Sequence, residues 1–255
     1  MIAVTLGINP LYRALARLSA KCIQDTTDLD TLILTESDFK KSNFSHPAAL
    51  KLKVFDFIQD DNVLFFDADW FSINKWSPND YDDKVPIIAC HDFILTDDWP
   101  EQYTNIDVVE NEKYFNDEAL LSHRRNTRND YIEEIEQFML TTNSFSTWIN
   151  TGFWIANKYN HTNWLAESLN LYNNSPGHHS QYYEQPAMNK AIYNTNQEVK
   201  YLSRKFNTLV ATRKKWPNFL IGLHVKIKHN EAFINDVIRE KITTLNQVRA
   251  HFFSE

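Results

Sequence analysis

The sequence predicts an α/β protein built on a parallel sheet wound with helices. Three observations predict it. Short apolar runs alternate with segments of helical period over residues 1–66, giving the order β-α-β-α-β. The third apolar run, Val63-Leu64-Phe65-Phe66, contains no polar residue and reads as a buried strand. The chain of 255 residues is long enough to bury a substantial core.

The elements follow in order. Residues 2–6 form the first strand, and Gly7-Ile8-Asn9-Pro10 breaks it. Leu11, Leu15, Leu18 and Cys22 recur at helical spacing and predict a helix over 11–23. A turn at 28–30 leads to a strand over 31–34, and Thr35-Glu36-Ser37-Asp38 leave it. His46-Pro47 opens a second helix through residue 58, with Pro47 suited to its first turn. After Trp70 the pattern turns irregular. Residues 86–90 and 145–149 read as strands, with a helix over 130–139 between them. Asn150-Thr151-Gly152 reads as a turn feeding an apolar strand through Asn157. Helices are predicted over 163–172 and 182–193, separated by a loop at 173–180 that Pro and Gly mark. Residues 200–202 and 219–223 are short strands, the second ending on His224. The whole chain, 1–255, reads as one domain, with 231–255 as a helical C-terminal extension.

The formal net charge of -7 argues against a general nucleic-acid coat or a binder of anionic membranes. Basic residues do cluster locally, at His123, Arg124, Arg125 and Arg128 and at Arg213, Lys214 and Lys215. Cys22 and Cys90 stand far apart, outside any C-x-x-C pair, and read as buried free thiols of a reducing compartment. The apolar start lacks the basic region of a signal peptide, and no run approaches membrane-spanning length. The reading is cytoplasmic.

Two carboxylates, Asp67 and Asp69, leave the third strand one residue apart. In an open α/β sheet that end faces the ligand crevice. Like charges held together raise each other's pKa, a conflict that a hard divalent cation removes. Asp is also common wherever a strand meets a loop, so the pair alone leaves both readings open.

The order of the pieces now resembles the GT-A fold of nucleotide-sugar glycosyltransferases, and is similar to the glycogenin-like and bacterial lipopolysaccharide sugar transferases. Four stretches carry the resemblance: Val63-Leu64-Phe65-Phe66-Asp67-Ala68-Asp69, Asn150-Thr151-Gly152-Phe153, Glu184-Gln185-Pro186-Ala187-Met188-Asn189 and Gly222-Leu223-His224-Val225-Lys226. They occur in the family's order over roughly residues 1–230. The resemblance implies a Rossmann-like, mixed, mainly parallel sheet flanked by helices. It implies that Asp67 and Asp69 hold Mn²⁺ or Mg²⁺, with Asp69 the stronger metal ligand and Asp67 also near the donor ribose. His224 would complete the metal shell, and Lys226 or Lys228 would meet the diphosphate. The family's longer C-terminal pattern of histidine, glycine, lysine, proline and tryptophan is not intact here. Thr5, Gly7 and Tyr12 lie where such folds bind the base, although a turn with core packing explains Tyr12 equally. Lys51, on the helix before the Asp67 strand, is a candidate for the phosphates. Asn150 and Gly152 would lie beside the sugar, and Gln185 beneath the reacting carbon with Glu184 next to it.

The implied function is metal-dependent transfer of a hexose-type sugar from a nucleoside-diphosphate sugar, a UDP-sugar above all, to a hydroxyl acceptor, with retention. An inverting enzyme would need a carboxylate base, for which Glu184, Asp97 and Asp98 are candidates. The acceptor would be a glycan or lipopolysaccharide precursor, or a hydroxymethylated base in DNA as phage-type enzymes use. Two rivals remain: a haloacid-dehalogenase-like Mg²⁺ phosphatase, which shares the D-x-D strand, and an inactive nucleotide-sugar-binding domain. Phe71 departs from the phosphatase pattern, which has Thr or Val at that position.

Overall fold

The computed structural model describes residues 1–44, 46–78, 86–91, 149–174, 184–210, 219–225, 227 and 230–253. Its strands, in chain order, are β1 (Ile2–Gly7), β2 (Thr31–Thr35), β3 (Asn62–Phe66), β4 (Trp70–Ser72), β5 (Ile87–His91), β6 (Ile149–Asn157), β7 (Val199–Leu202), β8 (Thr208–Val210) and β9 (Gly222–Val225). Its α-helices are α1 (Pro10–Thr26), α2 (Glu36–Ser42), α3 (Thr162–Asn174), α4 (Glu184–Asn194), α5 (Glu231–Ile238) and α6 (Leu245–Phe253).

Six strands form one sheet in the order β2-β1-β3-β6-β5-β7. β1 is parallel to β2 and β3, and β5 is parallel to β7, while β6 runs antiparallel between β3 and β5. The sheet is therefore mixed and mainly parallel, as the sequence predicts. A second sheet, β4-β9-β8, continues from the end of β3.

Local chemistry explains the elements that frame the site. Asn9 accepts the Tyr12 backbone N–H at 2.9 Å and Pro10 fills the first helical position, so α1 starts directly after β1. A Cβ on Gly7 would lie 2.8 Å from Ile33 Cγ2 and 3.3 Å from Arg13 Cα, so glycine lets α1 close onto β1 and β2. Val63 to Phe66 are fully buried and point alternately to two cores. Val63 and Phe65 join Trp154 and Trp164, and Leu64 and Phe66 join Trp70 and Phe153. Phe65 stacks on Trp154 with ring centroids 5.2 Å apart.

Several expected elements change. Residues 36–42, read only as leaving the strand, form a helix, because the Asp38 carboxylate accepts both the backbone N–H and the hydroxyl of Thr35 at 2.8 Å. The segment Pro47–Asp56 winds as a tighter 3₁₀ helix with a break at Lys53 (φ -119, ψ 22), and it buries Leu50, Lys51 and Leu52 in succession. Asn150, Thr151 and Gly152 belong to β6 itself and form no turn, since Asn150 pairs with Cys90 on one side and the Gly152 carbonyl accepts the Asp67 N–H on the other. β4 and β8 were not anticipated; each has three residues, too few to show a period. β9 starts at Gly222, and Phe219 is exposed in the turn before it. α5 and α6 realise the helical tail. They pack Phe233, Val248 and Phe252 against Phe71 and Leu223, and Arg249 Nε donates to the Ile73 carbonyl at 2.7 Å. The helix expected at 130–139, residues 145–148 of the expected strand, and residues 175–180 of the expected loop lie outside the described residues.

Candidate active site

The site forms where β3 leaves the first sheet and the chain enters the second. The Asp67 N–H donates to the Gly152 carbonyl at 2.8 Å, which extends the β3–β6 ladder by one residue. The Asp67 carbonyl then accepts the Trp70 N–H at 3.0 Å and closes a tight turn over Ala68 and Asp69. The Asp69 carbonyl accepts the Val225 N–H at 2.8 Å, and β4 pairs with β9 so that Trp70 lies opposite His224. One turn thus delivers two carboxylates, and the neighbouring strand delivers an imidazole between them.

His224 Nε2 lies 3.3 Å from Asp69 Oδ1 and 3.9 Å from Asp67 Oδ2. One ligand atom from each of the three residues falls within 4.8 Å of the others. The side chains keep an opening to solvent: Asp67 is 31% exposed, Asp69 17% and His224 12%. A Cβ on Gly152 would lie 2.6 Å from Asp67 Oδ2 and 2.7 Å from His224 Cε1, inside the space the ligand atoms share. Gly152 therefore keeps that cradle clear.

The other oxygen of Asp67 faces inward. Lys51 Nζ is 3.3 Å from Asp67 Oδ1, 3.1 Å from Glu184 Oε1 and 3.3 Å from the Thr151 carbonyl. The Lys51 side chain is only 2% exposed and that of Glu184 8%. An ammonium has three N–H donors, and these three acceptors can take them all. Burial alone would lower the Lys51 pKa, but the Asp67 and Glu184 carboxylates reverse this and hold it above the ordinary value.

Opposing charges also shape the remaining groups. Burial pushes the Asp67 carboxyl up; Lys51 and His224 oppose that, and Asp69 and Glu184 add to it. Burial would lower His224, but Asp69 chiefly, and then Asp67, raise it above its ordinary value. Two carboxylates, Asp67 and Glu184, meet one ammonium, and a third, Asp69, lies against His224. With a neutral imidazole, two negative charges stay uncompensated. Two carboxylate oxygens and an imidazole nitrogen, with an excess of two negative charges and a cleared cradle, fit one divalent cation such as Mn²⁺ or Mg²⁺.

The other candidates fall in several places. Gln185, in the first turn of α4, accepts from the Thr151 N–H at 3.2 Å and the Thr151 hydroxyl at 3.3 Å, one residue from Gly152. Asn150 Oδ1 accepts from the Gly152 N–H at 3.0 Å. Lys51 is buried against carboxylates instead of reaching out from a helix face. Thr5 is fully buried near the end of β1, and its hydroxyl has no hydrogen-bond partner among the described residues. Gly7 serves the packing of α1, and Tyr12 sits in the first turn of that helix. Lys226 and Lys228 lie outside the described residues, as do Asp97, Asp98 and the two basic clusters.

No protein-family model matches the sequence, and no curated protein matches it. Solved structures match in fold. The WbbM bifunctional glycosyltransferase superposes with a TM-score of 0.56 at 15% identity; the match covers 82% of this chain and 40% of that one, so this chain spans less than half of that protein. The galactosyltransferase LgtC, solved with donor and acceptor sugar analogs, gives 0.54 at 14% identity, over 94% of this chain and 96% of that one. Mouse xyloside xylosyltransferase 1 gives 0.51 at 9% identity, over 89% and 98%. The chain has a GT-A-type glycosyltransferase fold.

Within this GT-A frame the turn from β3 carries the D-x-D residues into the second sheet. Sequence reasoning missed two residues that support them. Asn207 is buried between Asn150 and His224, 3.0 Å from Asn150 Oδ1 and 3.2 Å from His224 Nδ1. Trp70, directly after Asp69, donates its indole N–H to the Phe206 carbonyl at 2.8 Å. Asn207 lies outside every motif, and only the folded contact reveals it. Trp70 stands directly after the Val63–Asp69 motif, but its apolar bulk hides the one polar atom that matters.

Proposed function

We propose that this protein is a metal-dependent glycosyltransferase that moves a hexose-type sugar from a nucleoside-diphosphate sugar, with a UDP-sugar as the favoured donor, to a hydroxyl of a glycan or lipopolysaccharide precursor. The observation that carries the reading is the convergence of Asp67, Asp69 and His224 within 4.8 Å at the crevice edge of a GT-A sheet. The three side chains would hold Mn²⁺ or Mg²⁺. A bound divalent cation supplies positive charge where the departing diphosphate gathers negative charge.

The protein's own residues define the rest. Lys51 fixes Asp67 by one oxygen and leaves the other turned to the cradle. Gly152 allows close approach beside that oxygen. Gln185 is held against Thr151, and the role read for it beneath the reacting carbon would put an uncharged amide there instead of a base. Glu184, the described candidate for an inverting base, is tied to Lys51 and buried. This supports retention: the bond from the sugar carbon to phosphate oxygen breaks, the bond to the acceptor oxygen forms on the same face, and the acceptor proton passes to the departing phosphate. The net charge of -7 favours a glycan acceptor over DNA.

A panel of nucleotide sugars incubated with the chain and Mn²⁺, read by mass spectrometry for free nucleoside diphosphate, tests the proposal. Release from one donor class that stops on chelation is the expected result. Release of phosphate from simple phosphate esters, with every nucleotide sugar left intact, would establish the phosphatase alternative instead.

A further inference from the structure

We infer that Asn207 is a positioning residue that sets which nitrogen of His224 carries the proton, leaving Nε2 bare toward Asp67 and Asp69. The inference rests on the metal-binding reading of those three side chains and adds a residue to it.

Hydrogen-bond directions fix the assignment. The Gly152 backbone N–H can only donate, so the Asn150 atom it meets at 3.0 Å is the amide oxygen. That same oxygen lies 3.0 Å from Asn207, so the Asn207 atom facing it is the NH₂ group. The remaining amide atom of Asn207 is then its oxygen, 3.2 Å from His224 Nδ1. An oxygen there accepts and Nδ1 must donate, so the neutral ring keeps its proton on Nδ1. The Nε2 lone pair then faces the two carboxylates.

Asn207 works against a local bias. Asp69 Oδ1 sits 3.3 Å from Nε2, and an acceptor there draws a proton to Nε2 whenever the other side of the ring offers nothing. A protonated Nε2 cannot ligate a metal. Asn207 supplies the competing acceptor and also fixes the ring plane.

The arm bearing Asn207 is held by its backbone. The Phe206 carbonyl accepts from Trp70 Nε1 at 2.8 Å, and the Lys205 carbonyl accepts from the Ile221 N–H at 2.7 Å. A Cβ on Gly222 would collide with both the Phe206 carbonyl and the Trp70 ring, so glycine allows this junction. The indole that follows Asp69 thus anchors the residue that precedes Asn207.

Two variants separate positioning from mere packing. Asn207→Leu keeps the approximate shape and removes the acceptor; Asn207→Asp keeps an acceptor toward Nδ1. Mn²⁺ affinity is read from the free-ion electron paramagnetic resonance signal, with thermal melts to confirm folding. Imidazole ¹⁵N spectra of the metal-free protein report the His224 tautomer, assigned against His224→Gln. We expect Asn207→Leu to weaken Mn²⁺ binding by about 10–100-fold, as for other outer-shell partners of a metal-ligating histidine, and Asn207→Asp, which keeps the acceptor but sets a carboxylate oxygen against Asn150 Oδ1, to fall between leucine and wild type. At a pH above the raised His224 pKa, where the ring is neutral, the wild-type spectrum should show protonated Nδ1 and bare Nε2, and the leucine variant a shift of the proton to Nε2. A folded leucine variant with wild-type tautomer and affinity, or an aspartate variant as weak as leucine, overturns the inference. Failure of the wild-type chain to bind Mn²⁺ would instead overturn the metal reading, while the ¹⁵N spectra still decide the role of Asn207.

Discussion

The two oxygens of Asp67 divide the site into a closed half and an open half. Oδ1 meets Lys51, which also binds Glu184, and this half is buried and charge-paired. Oδ2 meets His224 beside Asp69, and this half is partly exposed and carries surplus negative charge. The same residue type therefore does two jobs according to its surroundings. The closed half is charge-paired, and the open half is the group that could take a cation.

Substitutions that split the two halves test the contrast. The largest effect should fall on turnover. Asp69→Asn retains the shape and removes one ligand charge, and we expect release of nucleoside diphosphate to fall by about 10²-fold or more, the range seen when one charge-stabilising group is lost. Its thermal melt without metal should not fall, because the surplus charge has eased.

Lys51→Met should do the reverse. It strands Glu184 and Asp67 against each other in a buried site, and such a broken pair costs about 3–5 kcal/mol of stability. Urea unfolding measures it, and adding Glu184→Gln should recover part of the loss. Equal stability of Lys51→Met and wild type would erase the distinction between the halves.

A smaller effect is expected from Gly152→Ala, whose Cβ would enter the space between Asp67 and His224. Overpacking of this kind costs about 1–3 kcal/mol. Metal affinity should fall with it, since the added methyl lies in the open half. Unchanged affinity would mean that the cradle is not where the ion sits.

The smallest expected effect is one of pH. The Lys51 pKa is raised, so its contribution is complete below the unfolded value near 10.5 and is lost only as pH climbs through the folded value above it. Against Lys51→Met combined with Glu184→Gln, which leaves no buried carboxylate pair to take up a proton, the stability gap should therefore stay flat from neutrality to about pH 9. A gap that closed in that interval would show that Lys51 is not held charged by its partners.

The sheet and the open half were largely legible in the sequence, because Val63 to Phe66 form a run buried on both faces and Asp67 and Asp69 follow at its crevice end. The closed half was not. Lys51 reads as a helix residue facing the phosphates until the 3₁₀ winding of its segment buries it, and Glu184 is remote from it in sequence. Asn150 to Gly152 looked like a turn because Asn and Gly favour turns, yet Asn150 pairs with Cys90 and the Gly152 carbonyl accepts from Asp67, which keeps them in β6. Asn207 gave no signal because its role depends on two contacts, to Asn150 and His224, that join residues remote in sequence.

The central claim is that the open half holds one divalent cation, and a Mn²⁺ titration of wild type beside Asp69→Asn tests it most directly. The account predicts a single site per chain in the wild type and its loss in the variant, with the fold of both intact by circular dichroism. Equal Mn²⁺ binding by the two proteins, or none by either, would contradict it.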